Sequence, residues 1–394
     1  MDAKDNFEQT VAEWAQTKEL ADFGSLLNFE LPDHQPVSAN RYIRQIPNVE
    51  LLTGRIVNSQ GQPLDKRPLT TDSSNSLVIP KAQNPVFETG VKVVDLCIPI
   101  KRGGCSAVFT PLSGVGRLMI QAQFMYSMVH NYDGYVVYLG IEQGENTANA
   151  LKMQWLAESN MPSKMLEDRF IMIFEQDDAS QATKLQVAET GRAVAESLWM
   201  AGKEVLIVVD GSLSQINGVA EYLRRAISIS STAAITTVFD GDHTAGLEPA
   251  KFANLDAIIT FSYNRAWAGL WPAIDVDASR ASSDWLAQMP TQHRELTLQS
   301  RSLLLRYRGL QVQFEKRGEA GLFFLADAAQ ETQNAVRGQR LDHFLTQVLP
   351  VNELRTGRLG QLVPLDKTLR GAQAILEGQY DQVDKDKLTF ISSI

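Results

Sequence analysis

Residues 106–128 read SAVFTPLSGVGRLMIQAQFMYSM. A short apolar run passes through a glycine-containing turn into a segment with helical spacing. Strand, turn and helix N-terminus together are the parts from which backbone amides hold phosphate. Laid without gaps on the pattern G-x-x-x-x-G-K-[ST], the turn reads Pro111, Leu112, Ser113, Gly114, Val115, Gly116, Arg117, Leu118. Pro111 removes one amide donor. Arg117 is a bulkier, planar cation that is not interchangeable with Lys. Leu118 replaces the hydroxyl and cannot ligate a metal. Taken alone, this pattern fits many strand-to-helix turns.

Outward from this stretch the chain alternates. The strands read SAVFT (106–110), GYVVYLG (134–140), RFIMIFE (169–175), EVLIVVD (204–210), AAITTVF (233–239) and LDAIITFS (255–262). They are continuous apolar runs, as expected of strands covered on both faces. Helix-period segments separate them, at 115–131, 147–160, 180–203 and 216–228. This alternation predicts an α/β fold with a parallel sheet core and helices on both faces. GKEVLIVVD ends at Asp210, where an acidic residue after a core strand can orient Mg²⁺ and its water. Many parallel strands end in Asp for turn chemistry, so both readings stand at this point.

The flanks differ from the core. Residues 1–50 read as a short leading segment, with an amphipathic helix over 5–27 and a Pro-interrupted linker. Residues 51–290 hold the alternating domain, and 291–394 read as a smaller helical domain, with 297–318 and 326–349 as its clearest helices. Lys plus Arg is 37 against 46 for Asp plus Glu, a net charge of -9, which argues against global attraction to nucleic acid. No apolar stretch reaches the roughly 20 residues needed to span a membrane. Two cysteines, Cys97 and Cys105, exclude a disulfide framework and fit a cytoplasmic compartment. The five histidines, at 34, 130, 243, 293 and 343, have no metal-ligand spacing.

Six segments stand out: TGRIVNSQGQPLD (53–65), ETGVKVVDLCIPIKRGG (88–104), FANLDAIITFS (252–262), GLWPAIDVDASR (269–280), FLTQVLPVNELRTG (344–357) and KTLRGAQAILEGQYDQV (367–383). Together they resemble the beta subunit of the F-type ATP synthase, within the RecA-like rotary ATPase alpha/beta family. The resemblance implies a RecA-like core, a C-terminal helical domain, and partnership with alpha-like subunits in a hetero-oligomeric ring. It implies contact with a membrane only through a larger complex, and no nucleic acid. It implies ATP or ADP with Mg²⁺ as the cofactor, if a nucleotide binds at all.

Departures cluster where the chemistry would lie. The family's loop ends Gly-Lys-Thr; here it is Gly116, Arg117, Leu118. The resemblance aligns Gln143 with the catalytic Glu, and Gln cannot carry the charge that polarises water. Glu142 or Glu145 could replace it only by a shifted register. Trp271 falls at the adenine-stacking position, and the opposite aromatic wall aligns with Leu349 and Arg355. Arg280 matches an arginine that reaches a neighbour's phosphate, or else forms a structural salt bridge. Set against the family, the resemblance implies that a rotor-facing loop after Asp210 is missing, that the acidic lever of the helical domain is replaced by EKRGEAGLFFLADAAQE (315–331), and that the N-terminal crown is reduced to the dissimilar residues 1–50. The expectation is therefore a beta-like ring subunit without ATP hydrolysis. The alternatives are an active, divergent ATPase or a standalone scaffold.

Overall fold

The computed structural model describes residues 27–29, 44–46, 49–65, 84–110, 115–142, 147–158, 161–224, 233–242, 254–317, 327–392 and 394. The helix expected over 5–27 lies outside the described residues apart from residue 27.

Twelve strands occur among them. Two short antiparallel pairs are β1 (Leu27–Phe29) with β2 (Arg44–Ile46), and β4 (Val86–Phe87) with β5 (Ile100–Lys101). The rest form one sheet: β3 (Arg55–Val57), β6 (Cys105–Thr110), β7 (Tyr135–Glu142), β8 (Phe170–Gln176), β9 (Val205–Val209), β10 (Ile235–Asp242), β11 (Ala257–Thr260) and β12 (Arg280–Ala281). Its order is β12-β11-β6-β10-β9-β7-β8-β3, with only β12 antiparallel to its neighbour. Every strand predicted from an apolar run is present.

Alternating side chains of the sheet enter two cores. Val108, Val208 and Val238 join one, together with Phe124 and Met128. Ala107, Phe109, Ile207 and Phe239 join the other, together with Val187 and Val194. The runs are continuous because both faces are dry. Helix α1 (Lys92–Cys97) precedes β5, and α2 (Arg117–Tyr132) follows β6 on the first face. Helix α3 (Thr147–Glu158) follows β7, and α4 (Gln181–Met200) covers the second face. The Ser180 hydroxyl caps α4 by accepting from the Thr183 amide at 3.1 Å. The helix expected over 216–228 is short, Val219–Leu223, within the described part of that range.

Helix α5 (Tyr263–Trp267) leads from β11, and in the C-terminal region α6 (Thr291–Arg317) and α7 (Ala328–Phe344) pair as a hairpin. Helix α8 (Leu365–Leu376) packs against α1 and α6. Here α1 is a hub, since all six of its residues are buried. Its Lys92 amide donates to Gln347 Oε1 at 2.9 Å. Lys92 Nζ donates to the carbonyls of Phe344 and of Ile391, the latter at 2.6 Å. Burial pushes this ammonium down to about 7. Among the described residues no helix is long and apolar enough to cross a membrane.

Candidate functional site

The carboxyl ends of β6, β10, β9 and β7 lie side by side, under the N-terminus of α2. In open parallel sheets ligands bind outside this edge. Gly116 is the N-cap of α2 with φ of +100°, a conformation that glycine adopts without strain. A Cβ there would stand 3.0 Å from Trp271 Cζ3 and 3.6 Å from Phe261 Cε1. The half-buried Trp271 ring thus lies against the last glycine of the turn. Gly116 has no side chain with which to cap α2, and the first turn of α2 holds no acidic residue. That helix end is electropositive, and Arg117 adds a full charge to it.

Carboxylates answer this charge. Arg117 Nη1 donates to Asp240 Oδ2 at 2.7 Å. The arginine side chain is 33% exposed and the aspartate only 1%. Among the described residues Asp240 Oδ1 and the amide of Gln121, one helical turn beyond Arg117, have no hydrogen bond of ordinary geometry, though the Gln121 side chain lies close enough to Asp240 to favour its charged form. Burial pushes Asp240 up to about 6; Arg117 opposes the rise and neighbouring Asp210 adds to it. Asp210 is also raised by burial, against the pull of the Ser212 amide and Arg117. Its Oδ1 accepts from the Ser212 amide at 2.8 Å and its Oδ2 from the Tyr138 hydroxyl at 3.4 Å. A Cβ at Gly211 would lie 3.8 Å from Arg117 Nη1. The guanidinium therefore reaches from α2 across the end of β10 to the turn after β9.

Of the residues singled out in the sequence, Gly116, Arg117, Asp210 and Trp271 come together here. Arg117, the residue at the Lys position of the pattern, is held by the Asp240 carboxylate. Leu118 lies half-buried in the first turn of α2. Leu349 is a core residue, 1% exposed, on the chain that leads from Gln347, whose amide donates to Trp271 O at 2.8 Å. Arg280 does not join the group. It lies on edge strand β12, opposite Ile258, which in turn pairs with Ala107, three residues short of the end of β6. Glu142 closes β7, at the same sheet edge as the site. Gly114, Gln143 and Glu145 and the side chains of Glu142 and Arg355 lie outside the described residues.

Sequence reasoning missed Asp240, Tyr138 and Gln121. Asp240 follows the apolar run AAITTVF, the same signal that drew attention to Asp210. What was lacking was strand order, since β10 lies between β6 and β9 and brings its acid nearest to the turn. The described residues contain no group of three or more His, Cys, Asp or Glu able to hold a metal. Burial pushes the Cys97 thiol up to about 12 and Cys105 to about 11, so both are inert.

The sheet order, the helices on both faces and the turn ahead of α2 define an α/β domain of the RecA-like nucleotide-binding type. Residues 90–222 match the ATP synthase alpha/beta family, nucleotide-binding domain. The matched stretch runs from just before α1, through the turn and the Asp210 strand, to the short helix at Val219–Leu223. The match covers Gly116, Arg117, Gln121, Tyr138 and Asp210, while Asp240 and Trp271 lie beyond it.

Proposed function

We propose that this chain is a beta-like subunit of a rotary-ATPase-type ring, paired with alpha-like subunits, that does not hydrolyse ATP. In this reading it is cytoplasmic and meets a membrane only through the assembled complex. The observation that carries the reading is the ion pair of Arg117 with buried Asp240. A phosphate group at the N-terminus of α2 would have to take Arg117 from Asp240. Stripping a partner from a buried charge costs on the order of 3–5 kcal/mol, about two to four powers of ten in affinity.

The residues present do not fit Mg²⁺ with a nucleotide. Leu118 gives the metal no oxygen. Asp240 and Asp210 place two carboxyl groups where phosphate charge would accumulate, and Trp271 already lies against Gly116. Asp210 is the one described candidate for a metal-orienting carboxylate, and it is engaged as the cap for the Ser212 amide. Replacement of the catalytic carboxylate by Gln143 points the same way. The subunit then contributes shape and interface to the ring, and turnover falls to other sites.

Calorimetry of the purified chain with ATP and ADP, with and without Mg²⁺, tests this. Dissociation constants weaker than about 1 mM are expected. Tight, Mg²⁺-dependent binding, followed by turnover in the complex with an alpha-like subunit that Asp210→Ala abolishes, would establish the active alternative instead.

A further inference from the structure

Helix α6 spends one face on the protein's interior. Leu296, Leu304, Tyr307 and Leu310 are buried, and Arg308 anchors to Asp275 at 2.7 Å and Asp277 at 2.6 Å. The opposite face is unusual. Leu298, Leu305 and Val312 are 51%, 48% and 59% exposed. Their seven-residue spacing sets them on one line along the helix. Exposed Ser302 and Gly309 lie between them on the same line. A Cβ at Gly309 would meet nothing within 4 Å. Glycine there costs about 1 kcal/mol relative to alanine in a helix interior, and among the described residues no crowding calls for it. It leaves a hollow. Beside the line, Leu298, Ser302, Arg306 and Asn334 border a groove of about 520 Å³ between α6 and α7.

We propose that this face binds a second copy of the chain, with the two α6 helices antiparallel about a two-fold axis at Leu305. The pattern reads alike from both ends. Exposed Glu295 closes one end and exposed Lys316 the other. In the antiparallel pair Glu295 meets Lys316 of the second copy, Leu298 meets Val312, and Ser302 meets Gly309. Leu305 meets its own equivalent, its side chain seated between the small residues. A parallel pair would set Glu295 against Glu295, so the charges select the antiparallel arrangement. An isologous contact of this kind closes on itself and stops at the dimer. The stripe from 295 to 316 extends about 31 Å at 1.5 Å per residue.

Sedimentation velocity of the full chain, without nucleotide, from about 1 to 100 μM, tests the proposal independently of the ring reading. The wild-type chain should pass from monomer to dimer in this range. Leu305→Glu sets two like charges on the axis and should weaken the dimer at least about tenfold, with an unchanged helical signal because the site is exposed. Glu295→Lys should weaken it, and Glu295→Lys combined with Lys316→Glu should restore it. A monomer at every concentration would overturn the proposal and assign the face to another segment or another subunit. A dimer indifferent to Leu305→Glu would place the contact elsewhere and overturn it too. A charge-swapped double variant as weak as the single one would overturn the antiparallel register.

Discussion

Asp240→Asn removes one charge from the centre of the candidate site and keeps its shape. An acid held at about 6 instead of its usual 3.8 is harder to ionise by on the order of 3 kcal/mol. That figure already contains the help of Arg117. The folded chain binds the proton more tightly than the unfolded chain, so Asp240 makes stability fall as pH rises from about 4 to about 6. Above that window the full loss is present. At pH 7.5 the Asn variant, free of this charge, should be more stable by about 1–3 kcal/mol. Arg117 is partly exposed and can turn to water, while the new amide keeps the Gln121 side chain as its neighbour. Urea unfolding of both proteins at pH 7.5 and pH 4.5 checks this. The advantage should shrink to about a third at the lower pH, where Asp240 is neutral in the fold. A variant less stable than wild type by about 3 kcal/mol at pH 7.5 would refute the reasoning. It would show that the buried pair is strongly favourable on balance. As a second readout, pyrophosphate should bind the variant at least about tenfold more tightly than wild type at pH 7.5, because Arg117 is released.

Gly116→Ala should cost about 1–3 kcal/mol, and less in a Trp271→Ala background, because the ring is one source of the conflict; a double-mutant cycle by thermal melts measures the difference. Gly338→Ala drives a methyl group into Tyr307 at the crossing of α7 and α6, and should lower the melting temperature more than any other exchange named here. Burial holds the Lys92 ammonium down at about 7 against 10.5 in the unfolded chain. The unfolded chain therefore binds the extra proton between these values, and this residue makes stability rise with pH across that range. Lys92→Met should flatten the rise in the urea midpoint between pH 7 and pH 9; an unchanged slope would mean that another group causes it.

The parallel sheet was legible because its strands are buried on both faces and so carry uninterrupted apolar runs. The short elements were not. Strands β4 and β12 have two residues each, too few to show any period. Helix α1 is buried on every side, including Lys92 and Asp95, so it has no polar stripe and reads as neither helix nor strand. At the site, Gly116, Arg117, Asp210 and Trp271 were found through a pattern and a resemblance, and they do assemble. The partner of Arg117 was not found. Sequence order sets the Asp210 strand ahead of the Asp240 strand, while the sheet inserts the later strand next to the turn. Pairing across a sheet is a three-dimensional fact, and local spacing does not encode it.

The carbonyls that hold Lys92 also set a timetable. The Ile391 carbonyl lies 299 residues downstream of the ammonium it accepts from. During synthesis, α1 leaves the ribosome long before α6 and α8, and the side of it that those two helices cover stays open until they arrive. The nascent chain therefore holds an unfinished core for most of its translation, exposed to chaperones and proteases throughout. A chain that ends before residue 391 lacks one of the two carbonyls that hold the Lys92 ammonium.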